Sequence, residues 1–516
     1  MVGISQSARN MKLLPALAAA ALLAPALLPA AEPAVRPISI DECIQQALQK
    51  NLDIRISRYL PDLSEAELWG SYAAYDPTFR FSANRRIEQD PGGGRFGGFV
   101  APPSNQEFNS FNPGLNGVLP TGTTYSLTGN AQRINGVQFN PATGRFEDTV
   151  DYVGAATATV SQPLLRNAWI DSARWTIRLA KGALKQDEQA VRLQIINTVT
   201  AVQVGYYNLF AAREAVRVQE NALELAERSL VESKKKVEVG MLAPLEEKRS
   251  EARVAAVRVN LITARQALLT ANNDLKRLIT DDYASIEEVL DTADQLVPAP
   301  YVFNRQDSWH QALTLRPDII QQQIAVQQQD VTLRFRRNQL FPQLDVNASY
   351  ISSGRVGRDE PAGLGSGDLF SAIRDRNDPT HSFGAVLSIP LSNRGERSRM
   401  KAAKLTREQL LLQLKRLEQT IMVNVDNAIL NAQKDFERIG ATRDARLFAQ
   451  QALEAEQKKL ENGKSTYFEV LNLQSQLITA AADAVNAVAD YYRSVALLHQ
   501  AEGSTLDKVG VKLDFR

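Results

Sequence analysis

Cysteine is nearly absent from this chain of 516 residues: Cys43 stands alone. One thiol excludes an internal disulfide framework and any cysteine-based metal cluster. Histidine is almost as scarce. His310, His381 and His499 are far apart, and none is spaced as a metal ligand or paired with Cys43. No charge sign is in excess, since 59 Lys and Arg face 58 Asp and Glu. That balance lacks the electrostatic footprint of a nucleic-acid binder. Aromatics make up only 7%, while Ala, Gln, Leu and Arg crowd the helical stretches, a composition suited to long helices. Past the N-terminus, no apolar run reaches the roughly 18 residues of a spanning helix. Nucleotide motifs fail on context. Gly463-Lys464-Ser465 ends like a phosphate loop, but that motif's first glycine would fall on Lys458, and a helix precedes it. The glycine run at 92–98 has no strand-turn-helix setting. The expectation is a non-enzyme with no cofactor and no metal.

What is present begins with a leader. Arg9 and Lys12 precede the apolar run Leu13 to Leu28 and then Pro29-Ala30-Ala31. Positive, apolar and small segments in that order predict a secretory signal over 1–31. Cys43 lies well past it and lacks a lipoprotein lead-in.

The most informative pattern is a duplication. Ala47-Leu48, Asp53-Ile54 and Pro77-x-Phe79-x-Phe81-x-Ala83 align without a gap, 265 positions on, with Ala312-Leu313, Asp318-Ile319 and Pro342-x-Leu344-x-Val346-x-Ala348. In both copies a helical period runs into a proline and becomes a strict alternation. The pattern predicts a first helix-strand-helix repeat over 32–280, a linker over 281–306, a second repeat over 307–502 and a tail over 503–516. Within the first, a short helix over about 40–76 leads to strands over 77–165, a long helix over 168–239 and a second short helix over 244–280. The second has a short helix over about 307–341, strands over 342–391, a long helix over 395–462 and a last helix over 464–502. In the first repeat the two short helices together match the long helix in length, so the pair is expected to stack end to end along it.

Ile195, Val202, Leu209, Val216, Leu223, Leu230 and Val237 recur every seventh residue on the first long helix. The second short helix answers with Val254, Leu261, Leu268 and Leu275. That register predicts left-handed coiled-coil packing. The strands alternate as cleanly: Phe79, Phe81 and Ala83 against Arg80, Ser82 and Asn84, and Phe383, Ala385 and Leu387 against Ser382 and Ser388. One apolar and one polar face suit a membrane barrel, although a half-exposed soluble sheet reads the same way. Two extra strands, about 111–119 and 123–132, flank Pro120-Thr121-Gly122. The reading is six strands per chain, with four as the alternative. Neither closes a barrel, so several chains are expected to share one.

This order of elements resembles the TolC-type outer-membrane efflux and secretion channels. The carrying residues are the Tyr75-Asp76-Pro77 and Leu340-Phe341-Pro342 junctions, the exits Ser161-Gln162-Pro163 and Ser388-Ile389-Pro390-Leu391, and the stretch Gly463 to Asn472. The resemblance covers essentially the whole mature chain. It implies an α+β membrane protein, a helical coiled-coil barrel joined to a transmembrane β-barrel shared by a homotrimer. It places that protein in the outer membrane of a Gram-negative-type bacterium, reaching into the periplasm. It implies a periplasmic adaptor (membrane fusion) protein and an inner-membrane pump as partners, and a passive, gated exit duct as function. Pro77, Pro163, Pro342 and Pro390 would be the helix-strand junctions. Gly240 and Gly463 would mark the remote tip, with Glu246, Glu469 and Asn472 at the gate. Asn472 departs from the family's acidic pattern. Glu246 and Glu469 also occupy first-turn positions where carboxylates cap helices, a role compatible with lining a pore. Lys234, Lys235, Lys236, Lys458 and Lys459 suit helix C-termini, solvent or an adaptor. A structural tether with an anchored coiled coil but no open lumen is the alternative, and a soluble exported coiled coil a further one.

Overall fold

Two helices of 67 and 68 residues, α3 (Ser172–Glu238) and α8 (Arg394–Glu461), organise the chain in a computed structural model. The structure describes residues 35–511 except 97, 101–102, 141–142, 286–287, 301–302, 358–365 and 376–378. The expected leader over 1–31 lies outside the described residues. At about 1.5 Å per residue each long helix extends roughly 100 Å. Such lengths are stable only when a seam is buried along them. On α3 that seam is the heptad ladder: Ile195, Val202, Leu209 and Val216 are buried, and Leu223 and Leu230 pack beside the cluster of Ala222, Ala226, Val254 and Val257. Among the described residues, no helix is long and apolar enough to cross a membrane.

Short helices cover the long ones in two halves, but not as the sequence suggested. The stretch 40–76 is α1 (Ile40–Lys50), α2 (Leu52–Ser71) and a 3-10 turn over Tyr72–Tyr75. The break falls at Asn51, whose side chain accepts from the Ile54 amide at 3.1 Å and donates to Leu278 O at 2.9 Å. Only α2 stacks over α4 (Pro244–Ile279) along α3. The same break recurs 265 positions later at Arg316, between α5 (Arg305–Leu315) and α6 (Pro317–Asn338). There Pro317 disfavours the helical conformation of the residue before it, and Arg316 donates to Ala501 O at 3.0 Å. Thus α6 lies over α9 (Tyr467–Glu502) along α8. Asparagine capping in one half and proline in the other produce the same bend.

The segments displaced by these breaks form a belt around mid-helix. Strand β1 (Val35–Ile38) pairs in parallel with β8 (Val289–Thr292). The linker over 281–306 therefore contains a strand that the sequence reading missed. Within the tail, α10 (Thr505–Val509) inserts Leu506 into the core of Ile38, Cys43, Ile44, Val191, Ile195 and Leu290. Segments of four or five residues carry too little periodicity to be seen in sequence. Burial there pushes the Cys43 thiol up to about 12.

At the far end lies one six-stranded antiparallel sheet in the order β10-β9-β7-β6-β5-β2. Its strands are β2 (Thr78–Asp90), β5 (Ser104–Val118), β6 (Thr124–Asn140), β7 (Arg145–Pro163), β9 (Gln343–Val356) and β10 (Thr380–Ser388). A small hairpin, β3 (Arg95–Phe96) with β4 (Phe99–Val100), decorates the loop after β2. Six strands, not four, is the observed number. The extra two are longer than the sequence suggested, because their ends are polar and lack the alternation. A helix unseen in sequence, α7 (Ser366–Arg374), stands between β9 and β10.

Cross-strand register sorts the two faces. Thr78, Asn116, Ser126, Thr159, Ser349 and Ser382 form one row across all six strands. Ser126 donates to Asn116 at 2.7 Å, and the Ser349 and Ser382 hydroxyls are 2.6 Å apart. The opposite face aligns Phe79, Leu115, Leu127, Ala158 and Tyr350. Much of that apolar face is bare in the single chain, with Phe79 68% and Phe383 83% exposed.

Leu506→Ala should cost about 2–5 kcal/mol, the price of a core cavity. The check is a thermal melt in detergent. A loose tail would leave the melting temperature unchanged.

Candidate functional site at the helical tip

The chain reverses twice at the end remote from the sheet, with the same backbone bonds each time. After α3, Gly240 N donates to Val237 O at 3.0 Å and Met241 N to Lys236 O at 2.8 Å. After α8, Gly463 N donates to Leu460 O at 3.0 Å and Lys464 N to Lys459 O at 2.9 Å. These are paired Schellman closures, and each needs a left-handed residue. Gly240 has φ +76° and Gly463 φ +66°, a region where a side chain is strained.

Each returning helix starts with a glutamate at its third position. In α4, Pro244 occupies the first turn and Glu246 N donates to Ala243 O at 3.0 Å. In α9, Thr466 Oγ1 accepts from Glu469 N at 3.4 Å. The two glutamates then differ. Glu246 is partly buried: its Oε1 accepts from Arg249 at 2.8 Å, and its Oε2 is buried with no hydrogen-bond partner. Glu469 and Asn472 are exposed, on the face of α9 opposite the buried Tyr467, Val470 and Gln474. Glu246 is thus brought into a cluster, whereas Glu469 and Asn472 are not.

That cluster joins the two halves. The Arg249 guanidinium lies 5.7 Å from the ring centre of Phe468. Tyr467 Oη donates to Ser229 O at 2.7 Å, and Gln474 donates to Ser229 Oγ at 3.2 Å. Sequence reading missed Tyr467, Gln474 and Ser229. The available signal was a tyrosine at the first position of a helix, buried where a solvated residue is usual.

The four prolines sit at the other end of the helices. Pro77 and Pro342 immediately precede β2 and β9, Pro163 closes β7, and Pro390 follows β10. A collar beside them was not foreseen. Asn167 N donates to Asn338 Oδ1 at 2.7 Å, Gln339 Nε2 to Asn167 Oδ1 at 2.7 Å, and Arg166 Nε to Gln339 Oε1 at 2.8 Å. Asn167 adopts φ +66°, which asparagine tolerates better than most residues. Trp175 stacks on Phe335 with ring centres 4.8 Å apart. Trp69, Trp169 and Leu391, near the same helix and strand ends in the chain, are exposed, Leu391 at 99%.

The model of the outer membrane efflux protein family matches residues 109–280 and 309–504. The chain belongs to that family. Outer membrane protein TolC of Escherichia coli (strain K12) is 23% identical over 404 residues, covering 74% of each chain. Among solved structures, the Campylobacter jejuni CmeC outer membrane channel superposes with TM-score 0.63 at 16% identity, covering 90% of this chain and 86% of that one. VceC of Vibrio cholerae gives TM-score 0.62 at 15% identity, covering 90% and 96%. At such identities these likenesses speak for the fold. The family places the chain in the outer membrane, extending into the periplasm, and makes it an efflux channel component. Its relatives are channels, not enzymes. Among the described residues no group of three His, Cys, Asp or Glu is arranged to hold a metal ion.

Charge at the tip of this chain is closely paired. Lys248 donates to Glu251 at 2.8 Å and holds that carboxyl below its usual range, helped by Lys234 at 3.5 Å. Ser465 and then Lys459 do the same for Glu456. Both carboxyls are depressed in the folded chain. Their contribution is whole above the ordinary glutamate pKa of about 4.3 and is lost as pH falls through the lowered value. Amide exchange over residues 456–467 should therefore accelerate, after intrinsic correction, below about pH 4. Glu456→Gln should remove most of that pH step. A flat profile in the parent chain would mean that these pairs do not hold the turn.

Proposed function

We propose that three copies of this chain complete one wall and form a passive exit duct across the outer membrane and periplasm. The supporting observation is the six-stranded sheet, polar on one face, apolar on the other and unpaired at both edges. The apolar face would meet outer-membrane lipid and the polar face would line water. Backbone groups at the edges cannot remain unpaired in hydrocarbon, so further chains must supply partners. The long helices would continue the wall into the periplasm.

Transport energy would come from an inner-membrane pump through a periplasmic adaptor at the tip. The lysines near Gly240 and Gly463 would present charge to that adaptor. Gating would occur where the helix pairs end. Opening requires α4 and α9 to shift against α3, which breaks the Tyr467 and Gln474 bonds to Ser229. Glu246 would act inside this latch through Arg249, while Glu469 and Asn472 would face the lumen as surface charge and amide.

In planar bilayers, purified protein should show a small closed-state conductance. Tyr467→Phe removes one hydrogen bond worth about 0.5–1.5 kcal/mol, so the open-to-closed ratio should rise by roughly twofold to thirteenfold. Glu246→Ala with Glu469→Ala should also change the closed-state conductance. Unaltered currents would leave these glutamates as helix caps alone. A trimer that conducts under no condition would favour the tether.

A further inference from the structure

We infer that the membrane wall has eighteen strands, closed by β2 of one copy pairing with β10 of the next, and that it is no narrower than the helical tunnel below it. This rests on the three-copy reading proposed above.

The first argument is the edges. The strands alternate in direction across the sheet, and six is an even number. A second copy can therefore bring β10 against β2 antiparallel, continuing the alternation without a parallel join. Both edge strands are free to accept it: nearly every residue of β2 and all of β10 are exposed in the single chain. The polar row from Thr78 to Ser382 and the apolar row from Phe79 would then run around the whole circuit.

The second argument is size. Strands spaced about 4.8 Å apart and tilted about 40° make an eighteen-stranded circuit of roughly 113 Å. Twelve strands would make only about 75 Å. At any level of the helical part each chain offers four helices: α3 and α8, each with one short helix beside it. Three chains then give twelve helices, about 10 Å apart, or roughly 120 Å around. Eighteen strands therefore give the membrane wall nearly the perimeter of the helical ring.

The third argument is that the added hairpin is built in. Its β5–β6 turn reaches down to the start of α3. Arg174 donates to Asn167 O at 2.8 Å and approaches Thr121 O at 3.4 Å. Gly122, with φ +85°, leaves room: a Cβ there would come within 2.9 Å of the Arg174 guanidinium and 3.1 Å of Asn167 O. The helix α7 does not fill the bore. It seats on the apolar face, where Cβ atoms at Gly154 and Gly354 would meet Leu369, Ile373 and Ala372. The membrane end is therefore wide enough for bulky hydrated cargo, and discrimination falls to the tip and the pump.

Crosslinking tests the closure. In a Cys43→Ser background, Ser82→Cys is combined in turn with Ser382→Cys, Gly384→Cys and Val386→Cys, all on the polar face. Oxidation of at least one pair should yield a covalent three-chain band that reductant abolishes. A second measurement reads the bore. The largest polyethylene glycol maleimide that labels Ser349→Cys from outside the cell should shrink when Ser104–Asn140 is deleted. Diameter follows strand number, so lumen area would fall by roughly half. If the shortened chain fails to assemble, the crosslinks decide. A native mass other than three chains sinks the trimer reading itself. A three-chain mass with none of the three crosslinks, or an unchanged size limit in an assembled deletion variant, sinks only the eighteen-strand wall.

Discussion

An unpaired backbone N–H or C=O in hydrocarbon costs several kcal/mol, and β2 and β10 each present a row of them. Everything else in this chain can be ordered around that debt. The sheet has one apolar and one polar face, and in the proposed assembly lipid and water would keep it from folding over on itself to hide its edges. It can only be continued. In the proposed assembly the helices that join such a sheet would themselves stand in a ring. The heptad seam of α3 fits that arrangement, being buried by short helices on its flank rather than enclosed in a globular core.

The helical part solves a matching problem. A continuous helix of about 100 Å must be covered along its length by pieces that begin and end elsewhere. Asn51 and Arg316 are the places where the cover is cut. One uses an asparagine that caps both neighbours, and the other uses the conformational bias before Pro317. Turning α1 and α5 aside frees β1, β8 and α10 to wrap the midpoint, where Cys43 and Leu506 share a core. The belt thereby ties chain segments more than 400 positions apart into one unit.

At the tip the same economy recurs. Two Schellman closures reverse the chain at Gly240 and Gly463, and the returning helices present a glutamate one turn in. Their equivalence ends with burial. Glu246 is locked with Arg249 and reaches the other half through Phe468, whereas Glu469 faces out. A gate built this way would be held by hydrogen bonds from Tyr467 and Gln474 to Ser229 alongside the glutamates that sequence reading singled out.

Periodicity determined the order of helix and strand, the heptad seam and the strand faces, and residue type marked the turn glycines. These are local properties, since a side chain's face follows from its spacing along the chain. The strand number stayed open between six and four until the sheet was seen. Residues at the breaks were less legible, because Asn51 can sit in a helix or cap one, and only its contact with Leu278 O decides. The short β1, β8 and α10 exist through partners hundreds of residues away. So do the collar of Asn167, Asn338 and Gln339 and the Tyr467–Ser229 latch. Contacts of that reach are set by where the long helices bring distant segments together, and no window of sequence contains both sides of them.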